Sequence, residues 1–236
     1  MSEDTGVWAY AITEDGHLSG PDGEVDLSWL TGVGETKVRT VASGGLSVLV
    51  SDVSLADFGE AALRENLENV DWLDEVAREH HYVIDAAARL FPLLPVRLAT
   101  VYRGDATVCA ALTSRCGQLR DVLHRVGGRV EWGVKVYAVR ESTAAAVTSA
   151  QAVHAELTAK AAGTRLHPPQ SARLSGVRQP MLLNAAYLLE SSDCVTFTAA
   201  VAGQATAHPE LRVELTGPWP PYSFAGPGDD RADDGR

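Results

Sequence analysis

Two of the seven histidines in this sequence, His80 and His81, are adjacent, and histidine is the residue type whose unperturbed side chain titrates nearest neutral pH. Acid–base catalysis or metal binding at this point would need further His, Cys or carboxylate side chains at suitable spacing. A helical metal pair normally uses positions four apart, whereas adjacent helical residues point about 100° apart. We therefore predict that His80 is hydrogen-bonded beneath a helix, that its neighbour reaches solvent, and that no metal binds.

Other catalytic patterns in the sequence are weak. Asp71, Asp74 and Glu75 fit the solvated start of a helix better than a catalytic pair. The run GVGETK, residues 32–37, begins like a dinucleotide fingerprint, but a lysine replaces the third glycine and a strand is expected to follow. The sequence contains no nucleophile elbow, Cys-x-x-Cys pair or His-Glu-x-x-His motif. It predicts neither an enzyme nor a cofactor.

Charge and composition limit the classes of partner. The chain has 236 residues and a net charge of −11, which disfavours nucleic acid and anionic membrane surfaces. No apolar run is long enough to span a bilayer, and the N-terminus lacks the pattern of a signal peptide. Cys109, Cys116 and Cys194 form too sparse a set for a disulfide scaffold, so buried free thiols and a cytoplasmic location are expected.

The stretch from Asp71 to Tyr102 organises the predicted fold. Residues at three- and four-residue intervals share one helix face, namely Leu73, Val76, Ala77, His80, Ile84, Ala87 and Phe91. Asp71 is expected to cap this helix and Pro92 to end it. The apolar run Leu94–Tyr102 then predicts a buried strand.

The remaining elements are predicted around that helix. Upstream we expect strand 7–12, surface loop 14–26, and a hairpin of strands 38–42 and 46–50. Downstream we expect helix 105–126, strand 129–139, helix 141–162, loop 164–180, a short helix or strand 182–190, and strands 194–202 and 211–215. Residues 227–236 have no apolar content and are expected to be disordered.

Four stretches together resemble the gas vesicle protein GvpF/GvpL family. They are His80 with LPVRLATVY (94–102), EWGVKV (131–136), LNAAYL (183–188) and LTGPWPPYSF (215–224). The resemblance extends from about residue 7 to residue 224. The family usually has Phe-Gly where Leu98-Ala99 stand here, and Tyr-Leu where Thr164-Arg165 stand.

The resemblance implies an α+β protein of two small domains, the second a modified ferredoxin-like fold. We place them at 1–103 and 104–226, followed by the acidic tail 227–236. It also implies a cytoplasmic, non-enzymatic protein of gas vesicle assembly that associates with the hydrophobic shell protein and other accessory proteins. The alternatives are a small-molecule enzyme using His80, His81 and nearby carboxylates, and an acyl- or peptide-binding module.

The final motif is the most specific of the four. Its three prolines hold the backbone extended, and Trp219, Tyr222 and Phe224 offer large areas to bury. We predict a structural clasp that packs these aromatics on the body of the protein, where the two domains meet. The alternative is an exposed peptide that recruits a partner. His80 and Arg97 are the other candidates for a structural or interaction role. The resemblance brings no catalytic, cofactor or metal residue.

Overall fold

The computed structural model describes residues 5–20, 23–140, 143–170, 177 and 179–226. The predicted tail 227–236 lies outside these residues. The chain divides into two compact units. Unit 1 comprises the described residues of Met1–Gly128 and Ala225–Arg236, and unit 2 comprises those of Arg129–Phe224.

Unit 1 combines an antiparallel sheet with helices. Its strands are β1 (Thr5–Glu14), β2 (Ser19–Gly20), β3 (Gly23–Glu24), β4 (Val38–Ser43), β5 (Leu46–Ser54), β6 (Leu94–Pro95) and β7 (Val101–Tyr102). Its helices are α1 (Asp15–Leu18), α2 (Leu55–Phe58), α3 (Glu60–Asn66), α4 (Val70–Ala88), α5 (Asp105–Ser114) and α6 (Cys116–Val126). A 3₁₀ turn spans Val33–Glu35. The main sheet has the order β4-β5-β1-β6, with β7 also paired to β1.

Strand β1 is buried on both of its faces. Trp8 and Tyr10 point to one face, and neighbouring Ala9 points to the other. Helix α4 covers the first face, while Val108 and Leu112 of α5 lie with Ala9 against the second. The unit boundary therefore falls after Gly128 rather than at the expected 103/104, because α5 and α6 complete the first unit.

Helix α4 is the predicted organising helix with a different cap. The side chain of Asn69 accepts hydrogen bonds from the amides of Asp71 and Trp72 at 3.1 and 3.3 Å, so Asn69 replaces Asp71 as the N-cap. Buried positions along the helix are Val76, His80, Val83, Ile84 and Ala87. The predicted helix 105–126 is interrupted at Arg115, whose φ of −126° lies outside the helical range.

The predicted strand 94–102 is also interrupted. It forms only the short strands β6 and β7, each paired with β1. Between them Ala99 adopts a φ of +60°, the left-handed region that favours glycine. This chain therefore places an alanine in a backbone conformation that is strained for L-residues.

Replacing Ala99 by glycine should raise the free energy of unfolding by about 1 kcal/mol, because the left-handed conformation costs L-residues about that much. Urea denaturation provides the measurement. Ala110→Gly is the matched control: Ala110 is exposed within α5, so glycine there should lower stability by about 1 kcal/mol. A loss of stability in both variants would contradict the strain at position 99.

Unit 2 has the order β-α-β-β-α-β. Its strands are β8 (Arg129–Ala138), β9 (Gly163–Leu166), β10 (Met181–Glu190) and β11 (Leu211–Trp219), and its helices are α7 (Ala144–Thr158) and α8 (Cys194–Ala207). The sheet order β11-β8-β10-β9 is antiparallel throughout. This is the ferredoxin-like arrangement, so the predicted α+β class and the second fold are confirmed.

The assignment of residues 194–202 as a strand was wrong. They begin helix α8, which buries Phe197, Val201 and Gln204 at helical spacing. Threonine and valine in this segment favour a strand locally, but packing of that face against the sheet outweighs the propensity. Strand β9, within the predicted loop 164–180, was missed because it is short and lies at the sheet edge.

Candidate functional site

The side chain of His80 is held by two hydrogen bonds beneath helix α4. The indole Nε1–H of Trp8 donates to His80 Nδ1 at 3.0 Å. Indole is only a donor, so Nδ1 carries no proton and the neutral ring is protonated at Nε2. Nε2 lies 3.1 Å from the carbonyl oxygen of Val96, to which it donates. With 3% of its surface exposed, His80 lies in the core, at the position on the apolar stripe where burial was expected.

Tyr10 extends the same cluster. Its ring stacks on His80 with centroids 5.5 Å apart, and its hydroxyl accepts from the amide of Val33 at 2.7 Å and contacts Ser51 Oγ at 2.7 Å. Burial raises the pKa of Tyr10 to about 12. A Cβ at Gly32 would lie 2.1 Å from the Tyr10 hydroxyl. Gly32, the first glycine of the GVGETK run, therefore leaves room for this hydroxyl.

Burial lowers the pKa of His80 to about 4, with His81 a smaller influence in the same direction. The ring is therefore neutral at pH 7, and each nitrogen is engaged in a structural hydrogen bond. This geometry suits packing rather than proton transfer. His81 is half-buried on the same helix. Among the described residues, no group of three His, Cys, Asp or Glu side chains could hold a metal ion.

Acidification should destabilise unit 1 through His80. The folded pKa of about 4 lies below the ordinary value of 6.5, so the unfolded chain binds the proton more readily. Stability from this group is complete above pH 6.5 and falls as the pH drops towards 4, by about 3 kcal/mol in all. Urea denaturation between pH 7 and 4, with ring titration followed by NMR, measures it. If the ring of His80 itself titrates near 6.5, the expectation is contradicted.

A second polar cluster joins two of the motifs in unit 2. The carboxylate of Glu131 accepts from the amide and the hydroxyl of Ser223 at 2.7 and 2.6 Å. His167 Nε2 lies 3.1 Å from the Ser223 hydroxyl. Burial raises the pKa of Glu131, and hydrogen bonds from Ser223 offset part of that rise. Serine, not histidine, bridges the other two groups, so the arrangement differs from a catalytic triad.

The segment 217–224 carries this serine back over the sheet face that lies opposite α7 and α8. Gly217 has a φ of +129°, and a Cβ there would lie 2.9 Å from the Glu131 carbonyl oxygen. Phe224 is buried beside Gly163, and the Arg165 guanidinium lies 6.0 Å from its ring centroid. These residues belong to unit 2, so the segment packs on its own unit.

The predicted site residues therefore occupy different surroundings. Phe224 is buried, Tyr222 is half-buried, and Trp219 departs from the expected packing because 42% of it is exposed. Arg97 is exposed, and its carbonyl oxygen accepts from the Thr100 hydroxyl at 2.7 Å. The thiols of all three cysteines are free, as expected, but half-buried rather than buried.

Glu131 is the functional candidate that the sequence did not reveal. The period-two pattern of β8 puts Glu131 on the same face as Lys135, where a carboxylate normally meets water. Its partner Ser223 lies 92 residues further along the chain, so no local spacing indicates the pairing. The available signal was that the EWGVKV and LTGPWPPYSF motifs both belong to the family pattern.

Comparison with known proteins agrees with this architecture. A model of the family described as "Gas vesicle synthesis protein GvpL/GvpF" matches residues 6–152 and 142–226. Gas vesicle protein L of Streptomyces sp. (strain CB03234) is 38% identical over 96% of this chain and 95% of its own. Gas vesicle protein F2 of Halobacterium salinarum is 29% identical over 81% of each chain.

Solved structures share the fold. The crystal structure of gas vesicle protein GvpF from Anabaena sp. PCC7120 superposes with a TM-score of 0.71 at 20% identity, covering 94% of this chain and 96% of that one. GvpF from Microcystis aeruginosa gives a TM-score of 0.68 at 18% identity, covering 94% and 99%. Within the described ranges, no helix is long and apolar enough to cross a membrane. The chain belongs to the gas vesicle synthesis protein GvpL/GvpF family.

Proposed function

We propose that this protein acts in gas vesicle assembly as a non-enzymatic accessory or minor structural protein that binds the hydrophobic shell protein and other gas vesicle proteins. The observation that carries the proposal is the family match, which extends from residue 6 to residue 226. The similarity to gas vesicle protein L covers nearly the full length of both chains. We place the protein in the cytoplasm, in association with growing vesicles.

The surroundings of His80 argue against the enzyme alternative. An enzyme using His80, His81 and nearby carboxylates would need an accessible ring nitrogen beside a polar cavity. Instead, Trp8 and Val96 engage the two nitrogens of His80, and the stacked Tyr10 ring packs against it. Burial also keeps the imidazole neutral at physiological pH. These are the features of a core residue that fixes helix α4 on the sheet.

The charge of the chain indicates how it would bind its partners. The chain has a net charge of −11, and its sequence shows no basic stripe that could bind nucleic acid or anionic lipid. A hydrophobic shell protein would therefore be held mainly through apolar contacts. Capture of purified shell protein on the immobilised full chain should persist from about 0.15 to 0.5 M salt, since exposed charge pairs are strongly screened at the higher value. Loss of capture at the higher salt would contradict apolar binding.

Two further measurements separate the candidate functions. Immunoblots of washed vesicles and of the soluble fraction show whether the protein stays with the vesicle or acts before its completion. The variant His81→Gln should fold and support vesicle formation, because binding does not require its imidazole. A folded His81→Gln protein that no longer supports vesicles would favour the enzyme alternative.

A further inference from the structure

We propose that an apolar groove in unit 1 binds an amphipathic helix of the shell protein, with basic residues of that helix beside α3; this rests on the proposed function. The groove has a volume of about 440 Å³ and lies between the α2–α3 segment and strand β7. Its apolar lining consists of Leu55, Phe58, Leu63, Ala99, Val101 and Tyr102.

The floor of the groove is formed in advance by packing on strand β1. A Cβ at Gly6 would lie 2.5 Å from Leu55 Cδ2 and 3.1 Å from Val101 Cγ1, so both side chains rest directly on the glycine backbone. Phe58 makes an edge contact with the buried ring of Trp8, with centroids 5.7 Å apart. A floor attached to the core in this way needs little ordering when a partner binds.

The wall formed by α3 is held much less firmly. Gly59 precedes this helix without a side-chain cap, and each side chain of the fully described segment Glu60–Asn66 is at least partly exposed. Leu67 and Val70, which follow it, are 41% and 68% exposed. A helix of this length gains little stability from its own hydrogen bonds. A partner that covers Leu63 would bury apolar area that the chain itself leaves in contact with water.

The form of the walls favours a helix as the occupant. Beyond its first turn, α3 uses its backbone amides within the helix, so most of this wall presents side chains and not a row of free hydrogen-bonding groups. Helix-in-groove recognition uses such side chains to receive apolar anchors spaced at i, i+3, i+4 and i+7. The sheet edge that lines the groove is β7, which has only two residues, too short an edge for a strand to pair along the groove.

Charge determines the orientation of the partner. The exposed charges of the α2–α3 segment and the residues after it are mainly acidic, namely Asp57, Glu60, Glu65 and Glu68 against Arg64. Glu60 lines the groove on this wall and Arg103 on the opposite one. A helix with lysine or arginine beside α3 and an acidic residue near Arg103 would match both sides.

Overlapping 20-residue peptides that cover the shell protein provide the probe, with binding to the intact protein measured by fluorescence anisotropy. One peptide with an apolar helical stripe flanked by basic residues should bind. Leu63→Lys should weaken its binding about tenfold or more. Ala61→Lys places the same charge at an exposed position of the same helix, outside the groove lining, and should leave binding unchanged. Glu60→Lys should weaken binding more than Glu65→Lys.

The outcomes separate this site from the proposed function. Equal binding by the wild type, Leu63→Lys and Ala61→Lys, or equal losses in both variants, would overturn the groove while leaving shell-protein binding intact. If neither the peptides nor the whole shell protein bind the wild type, the proposed function fails. Sedimentation of each protein alone is the third readout. A dimer that Leu63→Lys dissociates would assign the groove to a second copy of this chain and overturn the proposal.

Discussion

Replacing His80 by alanine should lower the free energy of unfolding by about 3–5 kcal/mol, one of the two largest effects we expect. The change leaves the Trp8 indole N–H and the Val96 carbonyl buried without their partner, and each such group costs about 1–3 kcal/mol. The space left between Tyr10 and α4 adds the cost of a cavity. Urea denaturation at pH 7, followed by far-UV circular dichroism, gives the value.

His81→Ala is the matched control, since it removes the same atoms one position along the helix. His81 is half-buried, and its loss should cost less than about 1 kcal/mol. A double-mutant cycle with Trp8→Phe isolates the Nε1–Nδ1 hydrogen bond, and the two changes should be less than additive. Equal costs for the two alanine variants would refute the structural role assigned to His80.

Ending the chain after Gly217 should lower the melting temperature sharply or abolish soluble expression. The truncation removes Ser223, so the buried carboxylate of Glu131 loses both hydrogen bonds that the segment donates. Hydrogen bonds to a charged group contribute about 1.5–3 kcal/mol each. Removing Phe224 and the buried prolines Pro220 and Pro221 exposes the sheet face beneath them. Thermal unfolding followed by circular dichroism measures the loss.

Removing only residues 227–236 is the control for that truncation and should leave the melting temperature unchanged. Ser223→Ala should lower the free energy of unfolding by about 1–2 kcal/mol, because the backbone amide still donates to Glu131. Its effect on the melting temperature should lie between those of the two truncations. If the protein ending at Gly217 melts like the intact one but no longer captures the shell protein, the segment is a recruiting peptide and the clasp interpretation is wrong.

Local pattern predicted much of the secondary structure. Alternation identified β8, and the glycines of the 43–45 turn identified the hairpin of β4 and β5. Patterns failed where long-range packing decides the conformation. Helix α8 is a helix because its buried face meets the sheet of unit 2. The cap of α4 was missed for a local reason, since Asn69 lies before the first apolar position of the stripe.

The candidate sites, like the secondary structure, could be predicted from the sequence only in part. The position of His80 on an apolar stripe was enough to predict its burial. Its partner Trp8 lies 72 residues away, so the identity of the hydrogen bonds could not be read from spacing. Alternation along β8 puts Glu131 on the same sheet face as Lys135, but it does not predict what crosses that face. The Ser223 segment crosses that face and changes the environment of the carboxylate.

The hydrogen bonds between Glu131 and Ser223 also have a consequence for recombination between relatives. They show that the chain enters and leaves unit 2 at neighbouring points, since Glu131 follows the first residue of the unit closely and Ser223 immediately precedes its last. The two ends of unit 2 therefore lie close together, as in domains that tolerate exchange as one piece. A chimaera that exchanges residues 129–224 as one piece keeps both halves of this junction from the same parent. A crossover within β11 would instead take position 131 from one parent and position 223 from the other, so the Glu131–Ser223 pair of this chain would be divided.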